Sequence, residues 1–194
     1  FGFLIMLLIL LPLCGNIDYV LGLWLVDVPV HTANFVVLVL LYSLLDGILT
    51  PIAIGVFAQG EIKAYEIALC IIYAVNFIVS YVCLKLGMPP ETVFVLNIVF
   101  KACVLADLLV HSKAKYAFPI HAFLKQCLLP SVAVFVLSGS FTYFMPWEAP
   151  GSFAPFLLHT LVIVAYTSLV ILTIGMTRGE RLFLKNTLRD KIIL

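Results

Sequence analysis

Residues 33–58 read ANFVVLVLLYSLLDGILTPIAIGVFA, an apolar run with one charged residue, Asp46, and one proline, Pro51. About 20 such residues suffice to carry a helix across a hydrocarbon layer of roughly 30 Å. The run does not alternate apolar with polar positions and is too long for a barrel strand, so it predicts a membrane-spanning helix. Runs of the same kind, separated by turn residues, extend over 1–13, 65–86, 92–111, 124–144 and 153–176. The breakers between runs are Cys14-Gly15-Asn16, Gln59-Gly60, Gly87 to Pro90, Ser112 to Pro119 and Pro146 to Gly151. The expectation is an all-α, polytopic transmembrane helix bundle of six spans.

Composition agrees. The 194 residues are 64% hydrophobic and 11% charged, with a mean hydropathy of +1.20. Soluble domains are about a quarter charged, so a soluble globular domain is excluded. The net charge of +1 points to no nucleic-acid partner, because the few charges cluster between the spans. The opening run lacks the basic leader and small-residue cleavage site of a signal peptide. It is read as a helix begun upstream, and the chain as part of a longer protein. Cys70, Cys83, Cys103 and Cys127 fall within apolar runs and Cys14 at the end of one. No spacing suggests a disulfide framework or a zinc site, and core filling is expected.

Basic residues set the expected orientation. Lys63, Lys113, Lys115, Lys125, Arg178, Arg181, Lys185, Arg189 and Lys191 follow spans two, four and six, which is nine of the eleven Lys and Arg. The alternate loops hold only Lys85, and Lys101 lies within a span. This asymmetry is the one cytoplasmic retention produces and predicts both ends cytoplasmic. Ile17 to Leu25, short and carrying Tyr19 and Trp24, reads as a helix lying at the outer interface. The tail from Arg178 fits either a short basic helix on anionic lipid or a solvated tail.

Function in such a chain is sought among polar groups inside the membrane, where a charge costs at least about 2.5–3.5 kcal/mol. Lys101 and Asp46 lie near the middle of spans four and two, at a shared depth. They form either a structural ion pair or the charged lining of a common water-filled cavity. Asp107 lies about 9 Å further along span four at 1.5 Å per residue, within reach of the headgroups. Asn76 and Asn97 either line a polar path or bond neighbouring helices. Asp46-Gly47 and Thr50-Pro51 suggest a kinked span beside an acid, with Gly47 and Pro51 as hinge residues and Thr50 on the pathway. His31, His111, His121 and His159 are dispersed and read as interfacial or packing residues rather than metal ligands. No phosphate loop, nucleophile elbow or paired-carboxylate motif is present, so no enzyme and no cofactor are expected.

These landmarks resemble bacterial polysaccharide flippases of the multidrug/oligosaccharidyl-lipid/polysaccharide exporter superfamily. The resemblance starts at Leu23-Trp24-Leu25, Val28-Pro29 and Thr32 and continues through Asp46, Pro51, Ala58, Gly60, Ile62, Lys63 and Tyr65. It is densest at Asn76, Ser80-Tyr81, Leu84-Lys85-Leu86-Gly87, Pro89-Pro90-Glu91 and Phe94. Leu128-Leu129-Pro130, Gly175, Thr177, Glu180 and Arg181 extend it. Departures are Ile78 where the family often has Pro, Val26 in place of a small residue, Val30 in place of an acid, and no basic residue near Asp107.

The resemblance implies two six-helix lobes around a cavity, often with an extra helix pair. Residues 1–111 would be the last four helices of the C-terminal lobe, 112–176 the additional pair and 177–194 a basic cytoplasmic tail. The missing N-terminal lobe would belong to the same protein. The implied activity is flipping of undecaprenyl-pyrophosphate-linked oligosaccharide to the outer leaflet of the bacterial inner membrane during polysaccharide or O-antigen biosynthesis. Partners would be membrane lipid, the lipid-linked sugar and a coupling ion or proton. Lys101 would face the pyrophosphate, and Asp46 with Pro51 would couple ion binding to motion. The alternatives are a drug or small-solute exporter of the same superfamily, a membrane-embedded glycosyl- or acyltransferase, or a scaffold subunit.

Overall fold

The computed structural model describes residues 2–58, 60, 62–116, 119–145, 152–176 and 179–180. Apart from Gly179 and Glu180, the expected tail lies outside the described residues, as do Phe1 and the joint from Pro146 to Gly151. The architecture is all-α, with no strand among the described residues. Helix α1 is Gly2–Gly15 and α2 is Ile17–Trp24. Next come α3 (Thr32–Phe57), α4 (Lys63–Lys85) and α5 (Glu91–Tyr116). The last two are α6 (Ile120–Phe144) and α7 (Phe153–Gly175).

Five helices, α3 to α7, are long and apolar enough to cross a membrane, and a sixth span would be the pair α1 and α2, bent by 79°. The six runs are therefore all helical, and the first is the special case: α2 turns nearly perpendicular to α1, as a helix lying across the ends of spans would. Within the five long helices only 11–28% of the most apolar window is buried in the protein. Ile71, Phe77, Leu161 and Leu169 face outward. Water would penalise such a surface heavily, whereas lipid tails do not.

Contacts divide the chain into two compact units. One holds Phe3–Val20 with His121 onward, the other Leu21–Ile120. This grouping differs from a division at residue 111: α5 continues to Tyr116, and α1 belongs with the two late spans. Small residues explain the company α1 keeps. A Cβ on Gly15 would stand 2.8 Å from Thr142 Cγ2 and 3.0 Å from Ile163 Cδ1, so glycine is what admits that approach. Gly175 in turn packs against Val134 and Leu4, and Asn16 accepts a 2.6 Å hydrogen bond from His159 Nδ1.

Two π turns interrupt the α register in this unit, at Leu124–Leu128 and Ile171–Gly175. Pro130 accounts for the first. It brings no N–H to the carbonyl of Gln126 and its ring crowds that carbonyl, so the preceding turn widens.

The other unit is a trio in which α5 packs against both α3 and α4. The register follows from partners along α5. Glu91 meets Asn34, Lys101 meets Asp46, and Val104 and Leu108 share a core with Leu49, Ala53 and Val56. Positions advance together on α3 and α5, so these two helices run the same way. Asn97 meets Asn76 while Tyr65 joins the Val104–Leu108 core, so α4 runs the opposite way. The reversal into α5 begins at Gly87, whose φ of +80° is open to glycine at little cost. Met88 N–H bonds back to Cys83 and Gly87 N–H to Leu84, closing the end of α4 before Pro89-Pro90.

None of the five cysteines is buried: Cys70, Cys103 and Cys127 are exposed, and Cys14 and Cys83 half-buried. Core filling is therefore corrected. In a bundle whose outer surface is apolar, a weakly polar thiol sits as readily on the lipid side as inside.

Candidate functional site

Asn97, Lys101, Val104, Leu108 and Ser112 recur every three or four residues and so share one face of α5. The opposing face of α3 is built likewise from Tyr42, Asp46, Leu49, Ala53 and Val56. Each face is polar in its first half and mainly apolar after it, with Ser112 the polar exception at the end of α5. Matching the halves places charge against charge and hydrocarbon against hydrocarbon, and that fixes the site.

At its centre Lys101 Nζ lies 2.5 Å from Asp46 Oδ1. The lysine side chain is 9% exposed and the aspartate 47%. Tyr42, one turn before Asp46, presents its ring 4.9 Å from the ammonium, an arrangement in which the π face stabilises the cation. Tyr73 of α4 lies within electrostatic range of the same cation. Thr50, one turn after Asp46, donates a long 3.4 Å hydrogen bond to Asp46 Oδ2. Lys101 is thus sealed, while Asp46 keeps one side open.

One turn towards the start of α5, Asn76 Nδ2 donates to Asn97 Oδ1 at 2.7 Å, and Ser80 Oγ donates to Asn76 Oδ1 at 3.3 Å. Of the two roles open to these asparagines, interhelical bonding is the one made here. At the start of α5 Glu91 pairs with His31 and accepts from Asn34 Nδ2 at 3.3 Å. His31 was expected to be an interfacial or packing residue, and its specific pairing with Glu91 was not foreseen. It stands just before α3 with a φ of +77°, the left-handed region that few side chains adopt. Beside this cluster a groove of ≈ 650 Å³ opens between the starts of α3 and α5, lined by Asn34, Leu38, Pro89, Glu91 and Val95 among others.

The expected site residues are thus brought together in part. Lys101, Asp46 and Thr50 form one cluster and Asn76 with Asn97 an adjacent one. Pro51 is exposed, and α3 continues as helix through both Gly47 and Pro51. Asp107 lies beyond the pair towards Tyr65, on which it acts electrostatically.

The fold and this site define a polytopic helical membrane protein with an ion pair at mid-span. No family model matches the chain, and comparison with curated proteins and solved structures found no match.

Proposed function

We propose that the chain is part of a bacterial inner-membrane transporter, with both ends cytoplasmic, that moves an anionic lipid-linked oligosaccharide between leaflets by alternating access. The observation that carries this is the Lys101–Asp46 pair. It lies about 15 Å along α5 from Glu91 at 1.5 Å per residue, half the depth of a roughly 30 Å hydrocarbon core. A carboxylate that is half open at that depth requires water or polar groups on its free side to stay ionised. A polar path serves that need, and sugars and a pyrophosphate would use the same path. When the path fills, the phosphate competes with Asp46 for Lys101, and the released carboxylate is free to take a proton or cation. The order and spacing of the motifs from Leu23 to Arg181 favour a lipid-linked sugar over a drug.

The test is complementation of a flippase-deficient strain by the intact protein at normal expression. Lys101→Ala and Asp46→Asn are expected to abolish it, and wild-type rescue by both would refute the proposal. One observation favours a second reading, a scaffold in which the pair only fixes packing: the two groups are in contact. The double exchange Lys101→Asp with Asp46→Lys separates them. A scaffold would be rescued by the swapped pair, whereas a carrier that needs its cation on α5 would not.

A further inference from the structure

The π turns of α6 and α7 face one pocket. Lys125 and Gln126 come from the first turn, Ile174 and Gly175 from the second, and Pro130 and Met176 complete the lining around ≈ 300 Å³. A regular α-helix would carry one residue fewer per turn and leave less room between the two helices; π turns are where helices often build sites. Among the described residues the lining offers one ammonium and one primary amide, and the rest is largely hydrocarbon. From Lys125 an exposed apolar stripe, Leu129, Val132 and Val136, follows at helical spacing along α6, and Leu172 and Ile174 are exposed on α7. Charge at the end of a span and bare hydrocarbon along it match one amphipathic ligand.

We propose that this pocket binds the phosphate headgroup of an anionic phospholipid, with Lys125 and Gln126 on the phosphate and an acyl chain along Leu129, Val132 and Val136. A free phosphate offers the same headgroup chemistry, but it would leave the apolar stripe uncovered. The pocket shares no residue with the Lys101–Asp46 cluster, so it does not depend on the transport proposal.

Native mass spectrometry of the full chain released from nanodiscs of equal phosphatidylglycerol and phosphatidylcholine tests it. Wild type is expected to retain phosphatidylglycerol preferentially. Lys125→Gln is expected to lower that preference about fivefold, the worth of one lysine near an anionic surface. Gln126→Glu, which sets a like charge against the phosphate, is expected to lower it as well. Lys113→Gln, which removes an exposed lysine outside the pocket, is expected to leave the preference unchanged. Equal losses from Lys113→Gln and Lys125→Gln would reduce the effect to diffuse surface charge and overturn the proposal, as would no loss from Lys125→Gln. Millimolar inorganic phosphate is the remaining arm. Lipid that stays bound supports a lipid site, and lipid stripped by phosphate overturns it in favour of a free anion.

Discussion

Removing either member of the Lys101–Asp46 pair is expected to destabilise the chain unequally. Taking one partner from a buried ion pair costs about 3–5 kcal/mol, while an exposed pair contributes about 0–1. This pair lies between, because the lysine is 9% exposed and the aspartate 47%. Asp46→Ala strands a sealed ammonium whose remaining neighbours include Tyr42, and a ring face returns only about 0.5–2 kcal/mol. The expected cost is about 2–4 kcal/mol, near the buried limit. Lys101→Met leaves a half-open carboxylate that can be solvated or protonated, and should cost about 1–2 kcal/mol. The double variant Lys101→Met with Asp46→Ala buries no unpaired charge and should be more stable than Asp46→Ala alone. Unfolding of the full chain in lipid–detergent micelles, followed by helical circular dichroism against added denaturing detergent, reads all three. Equal losses from the two single variants, or a double variant at their sum, would refute the asymmetry and with it the assignment of Lys101 as the sealed member.

Three further outcomes are expected. Gly15→Ala should cost about 1–3 kcal/mol by overpacking, since the new Cβ would stand 2.8 Å from a Thr142 methyl whose hydroxyl is tied to Ser138; a thermal midpoint equal to wild type would count against this contact. Asn97→Ala should cost about 0.6–1.7 kcal/mol, the range of polar interhelical bonds in membranes, and should cost little more when Asn76→Ala is also present. Both His31→Gly and His31→Ala lose the Glu91 contact, but the glycine variant should be the more stable by about 1 kcal/mol because the backbone there is left-handed, and equal thermal midpoints would argue that the turn is not held in that conformation.

Much of the site could be read from spacing. Lys101 and Asp46 each sit near the middle of an apolar run, so their shared depth could be read from length, while pairing and a common cavity stayed open. For Asn76 and Asn97 a polar path and interhelical bonding likewise stayed open, and Thr50 is four residues from Asp46 on the same helix. What could not be read is which helices touch. That α1 keeps company with α6 and α7 depends on a missing side chain at Gly15 and another at Gly175, and apolar spans carry no signature of their neighbours. His31 was overlooked because its role depends on a turn that brings it across to Glu91, sixty positions away in the chain. Pro130 was a usable signal for the first π turn, since an interior proline disturbs the preceding turn, but nothing comparable marks the second.

The lengthwise division of α5 has a mechanical consequence. From Glu91 to Lys101 its contacts include hydrogen bonds and charges beside one ring contact, Phe94 on Phe35, and water can replace the polar ones as helices part. From Val104 to Leu108 the interlock of Leu49, Ala53, Val56 and Tyr65 is hydrocarbon, and water entering there recovers nothing. A trio built this way would part more readily at the end that begins with Glu91 than at its hydrocarbon end. Solvent entering from the Glu91 end would meet the hydrocarbon half one turn beyond Lys101.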